Sequence, residues 1–119
     1  MPGTYLVDEN GDAIEIARLT GGGICKRGDY STQQTNTALW TPATGKRFVL
    51  TDIVVSSDAE GTITLLDNTT VIRKYYLGAN GGVVENMMSD EESAAVDSVL
   101  KVTTSAAIAC YVVVKGYEK

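Results

Sequence analysis

The 119-residue sequence contains no histidine, and it has only two cysteines, two prolines, one tryptophan and one phenylalanine. Without histidine the chain lacks the commonest general base and one member of every Ser-His or Cys-His catalytic arrangement. Its 15 acidic residues fall mostly in predicted turns, such as residues 8–9 and 90–92, where solvated loop charges are the better interpretation. The sequence therefore predicts a protein that is not an enzyme, with no catalytic residues and no cofactor.

The two cysteines, Cys25 and Cys110, are too few for a disulfide framework. With no histidine present, they also cannot complete the four ligands of a structural zinc site. Both are therefore predicted to be free thiols. Cys110 shares its strand parity with Ile108 and Val112, so it is expected in the core. The glycine-rich surroundings of Cys25 leave its environment open.

Positive charge is also scarce, because 10 Lys and Arg residues face 15 Asp and Glu residues and the net charge is −5. Such a chain has no broad cationic field to attract nucleic acid or anionic lipid, so neither is a predicted partner. No apolar run approaches the roughly 20 residues that span a bilayer, and the N-terminus does not resemble a signal peptide. The expectation is a soluble protein made in a cytoplasm.

The most informative stretch that is present covers residues 46–77, KRFVLTDIVVSSDAEGTITLLDNTTVIRKYYL. Three extended runs rich in β-branched and aromatic residues are separated there by turn signals at residues 56–61 and 67–69. Residues 78–82 follow as a turn rich in residues that tolerate positive φ. Further strand patterns occupy residues 38–40, 83–88, 98–104 and 108–115, while residues 89–97 form an acidic connection that could include a helical turn. Eight or nine strands of roughly 5 to 8 residues predict an all-β fold, an antiparallel, jelly-roll-like β-sandwich.

The run that follows Arg47 changes the parity of its apolar residues. Phe48 and Leu50 lie on one parity, whereas Ile53 and Val55 lie on the other. This pattern predicts either a β-bulge near residues 51–52 or a strand that is covered on both faces. A second covered face would be a subunit interface.

Residues 1–37 are predicted to form an N-terminal arm or hairpin, and residues 38–119 the β-sandwich domain. Asn10-Gly11 favours a hairpin turn within residues 5–19. Residues 20–37, TGGGICKRGDYSTQQTNT, are too polar and glycine-rich to order by packing alone. Such an arm can add a strand to a partner protein. The alternative is that residues 5–19 are simply a hairpin of the sandwich.

Three short motifs in this N-terminal region carry little weight. The spacing Asp8-x-Asn10-x-Asp12 resembles the start of a calcium loop, but its glycine falls at loop position 4 instead of 6. The glycines at 21–23 match no phosphate-binding loop. The integrin-type tripeptide at residues 27–29 is short enough to arise by chance. Metal and phosphate binding are therefore not predicted.

Four segments nevertheless resemble a recurrent family of small tailed-bacteriophage virion proteins: ALWTPATGKRFVLTDIVVSS, AEGTITLLDNTTVI, LGANGGVVENM and LKVTTSAAIACYVVVKGYE. The resemblance covers about residues 38–117. Its motifs are structural turns, so they support the fold more strongly than the role, and they carry over no catalytic residues. The segment before Ala38 lies outside the resemblance.

The resemblance implies a homotrimeric capsid decoration (cement) protein, which binds the major capsid protein on the outer surface of the virion and stabilises the shell. The alternative is a tail-associated jelly-roll module that binds a host surface glycan or receptor. Exposed tyrosines among Tyr30, Tyr75, Tyr76 and Tyr117 could then stack on the ligand, although tyrosines at strand parity are more often core or interface residues. Trp40 is expected to be a core anchor or an intersubunit contact. The candidate partner-contact residues are Tyr5, Ile14, Ile16, Arg27, Tyr30 and Trp40.

Overall fold

The computed structural model describes residues 23–119, which form eight β-strands and contain no helix. No membrane-spanning helix is therefore found in this part of the chain. The strands are β1 (Ile24–Tyr30), β2 (Thr37–Trp40), β3 (Phe48–Ser57), β4 (Gly61–Asp67), β5 (Thr70–Leu77), β6 (Gly81–Glu92), β7 (Leu100–Thr104) and β8 (Cys110–Glu118).

The strands form two antiparallel four-stranded sheets, ordered β1-β8-β3-β6 and β2-β7-β4-β5. The first strand pairs with the eighth, the second with the seventh, the third with the sixth and the fourth with the fifth. Additional β3·β8 and β4·β7 pairs complete the sheets. This nested pairing is the jelly-roll arrangement, and it confirms the predicted fold class.

The core lies between the two sheets and is built from inward-facing residues of both. Trp40 and Phe48 anchor one end, with ring centroids 5.8 Å apart and ring planes tilted by 39°. Both side chains are almost completely buried. The aliphatic core residues with less than 2% exposure are Leu50, Ile53, Val55, Ile63, Leu65, Leu100, Val102, Val112 and Val114.

A β-bulge in β3 explains the change of apolar parity, and this prediction is confirmed. Leu50 pairs with Gly116 and Asp52 pairs with Lys115, so Thr51 has no counterpart in β8. The Thr51 hydroxyl donates to the Lys115 carbonyl at 3.2 Å. Because one extra residue reverses the side-chain alternation, apolar residues on both sides of the bulge point into the same core. The parity change therefore requires no second covered face.

The assignment of residues 20–37 to an arm or linker is wrong for residues 24–30, because β1 is a regular edge strand of the first sheet. All seven of its residues pair with β8, from Ile24 opposite Gly116 to Tyr30 opposite Cys110. Backbone hydrogen bonds to β8 hold the strand despite its few apolar side chains. Residues 1–22, including the predicted hairpin at 5–19, lie outside the described residues.

The predicted helical turn within residues 89–97 is also absent. Strand β6 continues to Glu92, although its register with β3 jumps from Asn86 opposite Asp52 to Glu91 opposite Leu50. The intervening residues of β6 leave the regular ladder, and Met88 is fully exposed among them. Pairing with β3 on both sides of this irregularity keeps the segment extended.

An ionic cluster joins the edges of the two sheets at β5 and β6. Arg73 Nε lies 3.2 Å from Glu85 Oε2, and Arg73 Nη1 lies 2.7 Å from Glu91 Oε1. The Tyr75 hydroxyl donates to Glu85 Oε1 at 2.7 Å. Burial acts to lower the pKa of Arg73, but the two glutamates outweigh it and raise that pKa. The cluster closes this side of the sandwich and protects two strand edges.

Candidate interaction surfaces

The outer face of the first sheet carries an apolar row across three strands. Val113 of β8, Val54 of β3 and Val84 of β6 lie opposite one another in register, and we refer to them as the valine row. Arg27 of β1 continues the row at its other end. Val54 is 37% exposed and Val84 is 68% exposed. Since the outer face of an antiparallel sheet is ordinarily polar, this row is a candidate contact surface.

The next row of the same face leads to a cleft at one end of the sandwich. Asp29 of β1, Tyr111 of β8 and Ser56 of β3 are aligned across the sheet. The turns after β3 and β5 form the rest of the wall, and the cleft has a volume of about 400 Å³. We call it the end cleft. It is lined by Asp29, Ser56, Ser57, Asp58, Asn80, Gly81, Ala109, Cys110 and Tyr111.

The backbone around the end cleft is held by main-chain hydrogen bonds and by one lining side chain, the Ser57 hydroxyl, which donates to the Ala59 carbonyl at 2.6 Å. The Asp58 N–H donates to the Ala109 carbonyl at 3.0 Å, and the Asn80 N–H donates to the Asp58 carbonyl at 3.2 Å. Asn80 has φ of 57°, in the left-handed region that asparagine tolerates. The turn is closed by the Gly81 N–H, which donates to the Gly78 carbonyl at 3.0 Å.

Edge strand β1 offers a second kind of surface, because within residues 23–119 only one of its two edges, the one beside β8, is paired. Its outward-facing residues Cys25, Arg27 and Asp29 are exposed. The following loop is attached to β7, where the Thr104 N–H donates to the Gln34 carbonyl at 3.0 Å. A free strand edge of this kind can accept an additional strand.

The candidate partner-contact residues differ in how far they are exposed to solvent. Arg27 is exposed beside the valine row, and Tyr30 is half-buried at the end of β1. Burial raises the pKa of the Tyr30 phenol, and the electrostatic interaction with Cys110 raises it further. Trp40 lies in the core with 1% exposure, so of the two expected roles it has that of a core anchor. Tyr5, Ile14 and Ile16 lie outside the described residues.

The other tyrosines proposed as stacking residues also differ in their exposure. Tyr75 is buried, Tyr117 is half-buried and Tyr76 is 75% exposed on the outer face of the second sheet. The Lys74 ammonium lies 5.6 Å from the centre of the Tyr76 ring. Tyr111, at the end cleft, was not among the sequence candidates, because its strand parity became informative only once its neighbours across the sheet were known.

Both cysteines are free thiols, as predicted. Cys110 is buried at the floor of the end cleft, whereas Cys25 is exposed on β1. Burial raises the pKa of the Cys110 thiol, and the nearby carboxylates of Asp29 and Asp58 raise it further. Cys110 is therefore held as the neutral thiol. Residues 23–119 contain no group of three or more His, Cys, Asp or Glu side chains that could hold a metal ion.

Comparison of the chain with protein-family models, with curated proteins and with solved structures finds no match.

Proposed function

We propose that this protein is a capsid decoration (cement) protein of a tailed bacteriophage. It would form a trimer that binds the major capsid protein on the outer surface of the shell and stabilises the shell by added contact area. The jelly-roll fold is compatible with this role, since double-sheet jelly rolls occur in viral capsid proteins. They also occur in lectins, so the fold alone does not decide between the two roles.

The observation that carries the proposal is the valine row on a solvent-facing sheet. Three β-branched apolar residues in register present a flat surface that a second subunit can cover. The row is smaller than the roughly 800 Å² per partner that a stable interface removes from water. The contact would therefore extend to Arg27 at the end of the row and to the neighbouring row on the side away from the end cleft, where Lys115 and Asp52 supply charges of both signs.

Attachment to the capsid is assigned to the N-terminal region and to the edge of β1 that is unpaired within residues 23–119. Main-chain groups on a strand edge can bind an extended partner segment without a preformed pocket. The sequence preceding β1 is strand-prone at residues 13–19, with Ile14 and Ile16 on one parity. Because residues 24–30 belong to the first sheet, a truncation that tests the arm should end at residue 22 and leave β1 intact.

The trimer is tested by light scattering on the purified protein. The expected mass is three times the chain mass of 12.6 kDa. Val84→Lys places a charge in the valine row and is expected to give monomers. Val71→Lys is the matched control, because Val71 is an exposed valine on β5 of the other sheet. A monomeric wild-type protein at micromolar concentration would contradict the trimer, and equal effects of the two variants would contradict its assignment to the valine row.

Capsid binding is tested by sedimentation with particles of the phage that encodes the protein, followed by imaging of those particles. The full chain is expected on the outer shell. Deletion of residues 1–22 should preserve the circular dichroism of the sandwich while capsid affinity falls at least about tenfold, or about 1.4 kcal/mol. Location at the tail, or unchanged binding by the truncated chain, would overturn the respective part of the proposal.

A further inference from the structure

The end cleft brings together polar side chains from four separate parts of the chain. Asp29 comes from β1, Asp58 from the turn after β3, Asn80 from the turn after β5 and Tyr111 from β8. No hydrogen bond within residues 23–119 engages the side chains of Asp29, Asp58 or Asn80. Their acceptors and donors are therefore available to a ligand, while the backbone that carries them is fixed by the sheet and by the two turns.

The lining residues select the chemical class of that ligand. Two carboxylates supply acceptors, the Asn80 amide supplies both a donor and an acceptor, and Ser56 adds a hydroxyl. Within residues 23–119 no lysine or arginine lines the cleft, so an anionic ligand would meet the negative charge of Asp29 and Asp58. The Tyr111 ring is 38% exposed at the border of the cleft and offers an apolar face beside these polar groups.

A metal ion fits the cleft less well than an organic ligand. Calcium takes six to eight converging oxygen ligands, commonly with several carboxylates, and among residues 23–119 the lining supplies only two carboxylates. The described part of the chain holds no cluster of three or more metal-binding side chains. By contrast, a volume of about 400 Å³ lies within the range of small-molecule pockets.

We propose that the end cleft binds a neutral sugar, with its hydroxyl groups bonded to Asp29, Asp58 and Asn80 and one of its C–H faces against the Tyr111 ring. Sugar hydroxyls donate to carboxylates and both donate to and accept from an amide, which matches this set of side chains. Gly81 next to Asn80 leaves the wall of the cleft without a side chain at that point. The site does not depend on a capsid role, since it lies within a single chain.

The test is a titration of the isotope-labelled full-length protein, followed by amide chemical shifts in two-dimensional NMR spectra. The probes are D-glucose, D-galactose, D-mannose and N-acetyl-D-glucosamine, each raised to about 50 mM, which detects dissociation constants into the millimolar range. At least one sugar is expected to shift the amides of residues 56–58, 80–81 and 109–111. Calcium chloride without sugar forms a separate arm, and it is expected to shift none of them.

Two variants and one control test the named contacts. Asn80→Gly removes the amide but keeps a residue that accepts positive φ. Tyr111→Thr removes the ring but keeps a strand-forming residue. Each should weaken sugar binding at least about fivefold, while Tyr76→Thr, at an exposed tyrosine of the other sheet, should not.

The inference is overturned if no sugar shifts the cleft amides, if the shifts lie elsewhere, or if both cleft variants bind like the wild type. Shifts caused by calcium alone would overturn it in favour of a cation site. The Val84→Lys variant keeps every cleft residue and should still bind, so loss of the trimer and loss of the sugar site are separately visible.

Discussion

The indole Nε1 of Trp40 donates a 2.9 Å hydrogen bond to Oε2 of Glu118, a residue 78 positions later in the chain. The other carboxylate oxygen of Glu118 accepts from the Ala43 N–H at 3.2 Å. A single side chain at the end of β8, in the first sheet, therefore satisfies the buried indole of β2, in the second sheet, and holds the connection from β2 to β3. This relationship closes one end of the sandwich.

Removal of this acceptor is expected to destabilise the fold. Glu118→Ala leaves the indole N–H of Trp40 without its partner in a site with 1% exposure, which should lower the free energy of unfolding by about 1–3 kcal/mol. Glu118→Gln retains an oxygen acceptor and should cost less. Urea unfolding followed by the fluorescence of the only tryptophan measures both. Equal stability of Glu118→Ala and the wild type would show that the bond contributes nothing.

The stability of β1 depends on a glycine that makes room for an aromatic ring. A Cβ at Gly28 would overlap the ring of Tyr30, which lies on the same face of the strand. Gly28→Ala must displace that ring and should cost about 1–2 kcal/mol. Gly78→Ala is the control, because no atom lies within 4 Å of its added Cβ, and it should be neutral or stabilising by up to about 1 kcal/mol. Thermal unfolding compares the two, and similar effects would count against the packing role.

Alkaline pH is expected to weaken the fold through Tyr75. Burial, together with the hydrogen bond to and the charge of Glu85, raises the pKa of the Tyr75 phenol above its ordinary value of about 10. Below pH 10 both the folded and unfolded chains keep the proton, so this group adds no pH dependence. Above pH 10 the unfolded chain loses the proton first, so the free energy of unfolding falls.

Two tyrosine variants isolate this effect from the titration of lysines at the same pH. Tyr75→Phe removes the titrating group and should flatten the decline in stability above pH 10. Tyr76→Phe, at a ring that is 75% exposed, should leave the decline unchanged. Denaturant unfolding at several pH values between about 8 and 11 provides the measurement. A decline of the same steepness in all three proteins would exclude Tyr75 as its source.

The two thiols should differ both in their reactivity and in their contribution to stability. Cys110 is 4% exposed and is held neutral by its raised pKa, so it should resist alkylation in the folded protein, while Cys25 reacts. Cys110→Ala should lower stability by about 1–3 kcal/mol through a small cavity, and Cys25→Ala should not. Reducing agent should leave the wild-type unfolding curve unchanged. A shift of that curve would mean that a disulfide supports the fold.

Much of the fold follows from local patterns. Residues 46–77 have the composition and turn signals of three strands, and β3, β4 and β5 occur there. The parity change near Thr51 indicated either a bulge or a strand covered on both faces, because side-chain alternation has a strict period of two, and the structure has the bulge. The turn signals at residues 67–69 and 78–82 contain Asn68 and Asn80, each with a positive φ.

Strand β1 and the end cleft have no comparable signal in the local sequence. The sequence from Ile24 to Tyr30 has few apolar residues, and it becomes a strand because β8 supplies a complete set of backbone partners about 85 positions away. Likewise, Asp29, Asp58 and Asn80 were visible only as turn or surface residues. Their convergence depends on the nested strand pairing.

By itself, the sequence determined the all-β class, most strand positions, the special backbone at two asparagine turns and the free state of both cysteines, because each depends on residue type and near neighbours. Only the tertiary structure decided that β1 belongs to the sheet and that Glu118 accepts the hydrogen bond of the Trp40 indole. It alone also produced the valine row and the end cleft. These features join residues far apart in the chain. Their positions depend on which strands pair and in which register, and pairing of that kind is selected by the packing of the whole core.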